Sequence, residues 1–165
     1  MNYWSDPKEE GPRLQRVRDC IKANLDTGKL LFFVSKSFND NSIVYLYKDG
    51  KVVPNWIHVE SKDLLPGSLS ELNFAETMVL GCDVKYRDDR IFLQMKQEQL
   101  AKRTFELVVD ARGNPAVIGT VNGVECRVDW AYAQMKNSSL PEPEYMNLYG
   151  RSLVDGSRVV EKILP

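Results

Sequence analysis

The sequence predicts a mainly β domain: an antiparallel sandwich or partly closed barrel of hairpins, with one or two covering helices. Three observations predict it. Four glycine-centred turns, at Asp49-Gly50, Gly113, Asn122-Gly123 and Asp155-Gly156, stand between extended runs, and tight hairpin turns call for residues that tolerate positive φ. Val124, Cys126, Val128, Trp130 and Tyr132 alternate with Glu125, Arg127, Asp129 and Ala131, the pattern of a half-buried strand with one wet face. Helical segments do not alternate with strands, which argues against a doubly wound α/β fold.

The elements follow in order. Residues 1–11 are polar and read as an arm. Pro12 suits a first helical position, and Leu14, Val17, Ile21 and Leu25 recur on one helical face, so a helix is expected over 12–27 with Gly28 ending it. The chain therefore divides into an arm with an amphipathic helix, residues 1–28, and a β-rich domain, residues 29–165. Strands are expected at 29–35, 42–47 and 52–59, the last two joined by Asp49-Gly50. Pro54 lacks a backbone donor, which places its strand at an edge or at a bulge. Ser68 and Glu71 fit a capping box for a second helix ending at Gly81, with Leu72, Ala75, Met78 and Val79 as its apolar stripe. Further strands are expected at 90–96, 104–110, 116–121 and 124–132, then a loop at 137–143 and a closing hairpin from 144–149 and 158–163.

Composition bounds the function. At 165 residues, 43% hydrophobic and 27% charged, the chain is long and apolar enough to bury a core. A net charge of −1 removes the usual electrostatic case for nucleic acid. No run approaches the roughly 20 apolar residues of a membrane-spanning helix, and no basic-then-apolar leader opens the chain. Cys20, Cys82 and Cys126 are odd in number and widely spaced, which suits reduced structural thiols and a cytoplasmic location.

The search for chemistry yields little. His58 is the single histidine, so His-rich metal sites and His-pair acid–base schemes are excluded. Phosphate-loop, dinucleotide and nucleophile-elbow motifs are missing. Asp88-Asp89 and Asn39-Asp40-Asn41 read as turns rather than as a carboxylate pair or a calcium loop. No catalytic, cofactor or metal residue is therefore assigned. Two surfaces remain. Arg13, Arg16, Arg18 and Lys22 form a basic helix face that could dock an acidic partner, although a solvated polar face explains it as well. Trp56, His58, Trp130 and Tyr132 could line a small-ligand cavity, against the plainer reading that aromatic residues pack on strands.

The Leu31-Phe32-Phe33-Val34 run followed by Asn39-Asp40-Asn41-Ser42-Ile43-Val44-Tyr45 resembles the opening of the DUF4833 family. Trp56-Ile57, the segment from Leu69 to Gly81 with Glu76, Tyr145-Met146-Asn147-Leu148-Tyr149-Gly150, Asp155-Gly156 and Glu161-Lys162-Ile163 are similar to its later segments. The resemblance implies a compact β-rich domain and brings no activity or catalytic residues. The function expected is a non-catalytic structural or protein-interaction domain, an accessory subunit of a large intracellular assembly such as a ciliary axoneme. A barrel binding a small apolar ligand is the alternative. An enzyme using carboxylates assisted by His58 or Cys126 ranks third.

Overall fold

The computed structural model describes residues 12–26, 29–136 and 142–165, with the side chains of Pro12 and Arg13 left out. The predicted arm, the expected stop at Gly28 and most of the 137–143 loop lie outside the described residues. Helix α1 is Pro12–Asn24. Strands β1 (Leu30–Lys36), β2 (Ser42–Lys48), β3 (Lys51–His58) and β4 (Ser68–Glu71) form an antiparallel meander. After helix α2 (Phe74–Leu80) come β5 (Cys82–Arg87) and β6 (Arg90–Met95), the short helix α3 (Glu98–Ala101), then β7 (Phe105–Val109) and β8 (Pro115–Val121). A long β9 (Val124–Met135), β10 (Pro143–Ser152) and β11 (Arg158–Ile163) complete the sheet.

The mainly β prediction holds, as a strongly curled half-barrel, but the sheet is mixed. Strand β1 runs parallel to β9, Phe33 opposite Trp130 and Lys36 opposite Ala133. Both β8 and β1 lie along one edge of β9, β8 on its first half and β1 on its second, while β10 follows the other edge. Two wings thus diverge from β9: β1-β2-β3-β4 and β8-β7-β6-β5. Hairpin signals report only consecutive strands, so they could not reveal this parallel junction.

Two cores follow from the curl. The concave interior holds Phe32, Val34, Tyr45, Leu93, Phe105, Val117, Val121, Cys126, Val128 and Leu148, drawn from both wings. The convex face is covered by α1, whose Val17, Cys20 and Ile21 pack with Phe33, Val44, Leu46, Ile57, Trp130, Tyr132 and Tyr149. Burial of each large apolar chain contributes about 1.5–3 kcal/mol. Continuous apolar runs in β1 and β2 thereby find their reason: both faces of these strands are buried.

The cleanest sequence pattern is corrected. Tyr149 pairs with Trp130 while Gly150 pairs with Val128, so β9 carries an extra residue, Asp129, as a bulge. The bulge exchanges faces. Cys126 and Val128 point into the barrel, whereas Trp130 and Tyr132 point outward beneath α1.

The expected second helix is corrected as well. Ser68 and Glu71 belong to β4, pairing with His58 and Asn55. The helix begins later, where Asn73 accepts from the Glu76 N–H and the Glu76 carboxylate accepts from the Asn73 N–H, a complete capping box five residues downstream. Strand β5 and helix α3 carry no strong sequence signal. Pro54 sits opposite Tyr45, just beyond the stretch of β3 that pairs with β4, so its missing donor faces no strand. The Asp49-Gly50 and Asn122-Gly123 turns have positive φ at both residues, as primed hairpin turns require.

One clasp joins α3, the β8–β9 turn and β11. Arg103 engages both carboxylate oxygens of Glu161, and the Asn122 N–H donates to the same carboxylate at 2.6 Å. The arginine holds the Glu161 carboxyl below its ordinary value of 4.5. Glu161→Gln should therefore cost about 1–2 kcal/mol at neutral pH, hydrogen bonds to a charged group being lost. A depressed carboxyl stabilises the fold above its unfolded value and stops doing so as pH falls through the folded value. The gap between wild type and variant should stay constant down to about pH 5 and close below it. Urea titrations at several pH values check this; a gap that persists at pH 3 would assign the cost to packing instead.

Candidate functional site

The four proposed ligand-lining residues do not converge. Trp56 packs against the barrel interior, its indole N–H donating to Glu76 at 3.1 Å, with the Lys36 ammonium 4.8 Å above its ring. His58 shares a 2.7 Å hydrogen bond with the Ser70 hydroxyl across β3 and β4. Trp130 and Tyr132 belong to the opposite, convex core. Trp130 is wholly buried, stacked 4.3 Å from Tyr149 and 5.6 Å from Phe33. The Tyr132 hydroxyl donates to Gln134 at 2.7 Å. Inside the barrel, Phe32 stacks on Tyr45 at 4.6 Å with Phe105 beside it, so aromatic rings occupy the concave space.

The basic face of α1 is turned toward the chain's own carboxylates. Arg16 donates to the buried Asp40 at 2.9 Å and lies 4.0 Å from Glu60. Arg18 reaches Asp129 at 3.4 Å while its guanidinium lies over the Phe33 and Trp130 rings, 5.4 and 5.8 Å from their centres. Lys22 is exposed in the last turn, and the Arg13 side chain lies outside the described residues. These contacts fix the helix to the sheet.

The remaining reactive groups have structural settings. Cys126 is buried in the interior, and burial raises its thiol pKa. Burial likewise pushes Cys82 up to about 12, so neither is a ready thiolate at neutral pH. All three cysteines are free. Among the described residues no group of His, Cys, Asp and Glu is arranged to hold a metal. Asn39-Asp40-Asn41 is a turn: the Asn39 side chain accepts from the Asn41 N–H, and the Asn41 side chain accepts from the Val59 and Glu60 N–H groups. Asp88, at φ 55°, shapes the β5–β6 turn.

One feature escaped the periodicity argument. Helix α2 buries none of its residues. Phe74, Met78 and Val79 are 83%, 63% and 60% exposed. The Glu76 side is fixed by Trp56, and the Leu80 carbonyl accepts from the buried Tyr45 hydroxyl at 2.7 Å. Those anchors set the phase of the helix and turn its apolar side outward. Met78 and Val79, expected to face the core, face solvent.

Among the described residues, clefts flank the sheet. One, of about 650 Å³, lies over the β7–β8 hairpin between Asp26, Asp110, Asn114 and Arg127. The other, of about 380 Å³, lies between α3 and the end of the chain. Neither gathers a nucleophile, a base and an oxyanion donor.

Taken together, the curl, the parallel β1–β9 junction and the filled interior define a half-barrel β domain. The chain belongs to the DUF4833 family: a family model described as a domain of unknown function (DUF4833) matches residues 32–162. No curated protein and no solved structure matches the chain. The matched segment starts within β1, so α1 lies outside it even though Val17 and Ile21 complete the convex core. No helix among the described residues is long and apolar enough to cross a membrane.

Proposed function

We propose that the protein is a non-catalytic interaction domain, an accessory component of a larger assembly, and that it docks a protein partner through α2. The exposure of Phe74, Met78 and Val79 carries this reading. Phe74 and Met78 stand four residues apart on one helical face, the spacing by which a helix inserts anchors into an apolar groove. The capping box and the Trp56 and Tyr45 anchors hold the helix in place before binding, which lowers the ordering cost of association. A convex apolar ridge fits a protein groove better than it fits a small molecule. The basic face of α1, expected to dock a partner, is the weaker candidate because Arg16 and Arg18 are already paired. A cytoskeletal or ciliary setting draws no support from these residues; what they specify is an apolar groove on the partner.

Phe74→Asp with Met78→Asp should leave stability within about 0.5 kcal/mol, since both side chains are in water. A photo-crosslinker at residue 78, in cells, should give one discrete adduct that the Phe74→Asp background loses. A crosslinker at Lys51, remote in sequence, should not give that adduct. Identical adducts from both positions, or none, would overturn the reading. So would a dimer in solution whose crosslink at residue 78 joins two copies of this chain.

A further inference from the structure

Gln97 and Gln99, at the start of α3, are polar yet only 7% and 8% exposed. Their hydrogen bonds fix both side-chain amides. The Leu100 N–H donates to the Gln97 Oε1 at 3.0 Å, so the Gln97 Nε2 points the other way and donates to the Gln99 Oε1. That relay occupies the acceptor end of Gln99 and leaves its Nε2, a double donor, without a partner among the described residues. A buried donor left unmade is costly. This one is not sealed in the core: Gln99 lines the cleft of about 380 Å³ between α3 and the end of the chain. Glu98, the first residue of α3, and Lys102, its C-cap, line the same cleft and are exposed. A glutamate four residues before a lysine is the order in which a helix pairs the two. Here the neighbouring ion pairs are Lys96 with Asp83 and Arg103 with Glu161, and neither Glu98 nor Lys102 joins one among the described residues. Ile163 and Leu164 add aliphatic wall.

We propose that this cleft binds a free α-amino acid with an aliphatic side chain. The Gln99 Nε2 and the Lys102 ammonium donate to its carboxylate, the Glu98 carboxylate accepts from its ammonium, and Ile163 and Leu164 contact its side chain. Each group in the cleft thereby meets its complement. A plain carboxylate leaves Glu98 facing like charge, and a plain amine does the same to Lys102; a zwitterion suits both. A peptide end carries one of the two charges, so the free amino acid fits better than a chain terminus. Small-molecule sites run from about 300 to 1,000 Å³ with a few placed polar groups on an apolar lining, and a cleft near the bottom of that range suits a ligand of this size. The site is separate from α2 and stands or falls independently of it.

The test uses the full chain, with the side-chain Nε2 signals of Gln99 followed by NMR. The probes are L-leucine, isocaproate (leucine without its ammonium), isoamylamine (leucine without its carboxylate), N-acetyl-L-leucine and glycine. L-leucine should shift the Gln99 signals to saturation and raise the melting temperature. The other four should bind at least about threefold more weakly, each lacking one charge or the aliphatic contact. Gln99→Glu keeps the oxygen that accepts from Gln97 and replaces the donor with a carboxylate oxygen. It should weaken leucine about tenfold or more, a hydrogen bond to a charged group being lost. Glu98→Gln and Lys102→Gln, both at exposed positions, should each weaken it about threefold with little change in stability. They carry the test should Gln99→Glu fail to fold. Three outcomes overturn the proposal: no saturable shift at Gln99; isocaproate, isoamylamine or N-acetyl-L-leucine binding as well as leucine; or leucine affinity undiminished in both Glu98→Gln and Lys102→Gln.

Discussion

Deleting Asp129 should abolish the cooperative native fold, whereas Asp129→Asn should cost about 1 kcal/mol or less, the value of a half-exposed ion pair with Arg18. The contrast isolates backbone count from side-chain chemistry. Asp129 is the residue that lets Gly150 pair with Val128 while Tyr149 pairs with Trp130. Without it, one half of β9 must exchange faces. Either Trp130 and Tyr132 enter a barrel already filled by Phe32, Tyr45 and Phe105, or Cys126 and Val128 leave it. No side-chain adjustment absorbs that exchange. Circular dichroism with urea unfolding and NMR dispersion decides the matter. A deletion variant with native dispersion would mean that the two cores tolerate either register.

Trp130→Ala should destabilise the protein by about 3–5 kcal/mol, the usual cost of emptying a large aromatic site. Its ring is stacked between Phe33 and Tyr149, with the Arg18 guanidinium 5.8 Å away, and no part of it is exposed. The loss should reach α1, because the helix packs its Val17 and Ile21 on the same cluster. Amide exchange in α1 should therefore accelerate more than exchange in β6 and β7. Trp130→Phe makes a useful companion. The buried indole N–H has no hydrogen-bond partner among the described residues, so removing it relieves a cost of about 1–3 kcal/mol while keeping an aromatic ring. Phenylalanine should thus be far milder than alanine, and a loss below about 1 kcal/mol for alanine would refute the stack's importance.

Much of the architecture was legible because it rests on local demands. Asp49-Gly50 and Asn122-Gly123 announce positive φ at two successive residues, and both hairpins formed there. The Arg158–Ile163 strand and the Val17 and Ile21 face of α1 follow from periodicity alone. The candidate site was much less legible. Trp56, His58, Trp130 and Tyr132 share a residue class and strand-like settings, but the curl and the bulge distribute them over two faces. Arg16 and Arg18 looked like surface charge because their partners, Asp40 and Asp129, are 24 and 111 residues away in the chain.

By itself the sequence determined a mainly β domain, the positions of its turns, most of its strands and the apolar stripe of its first helix. Each of these depends on backbone preference or on a short repeat within one segment. Only the tertiary structure decided that β1 joins β9 in parallel, that Asp129 exchanges the faces of β9, and that α2 starts at Asn73 with Phe74 outward. These three features arise where distant segments compete for the same space. Which strand takes an edge, which face is buried and which helical phase survives are set by pairing and packing across the chain, and no local window contains the competitors.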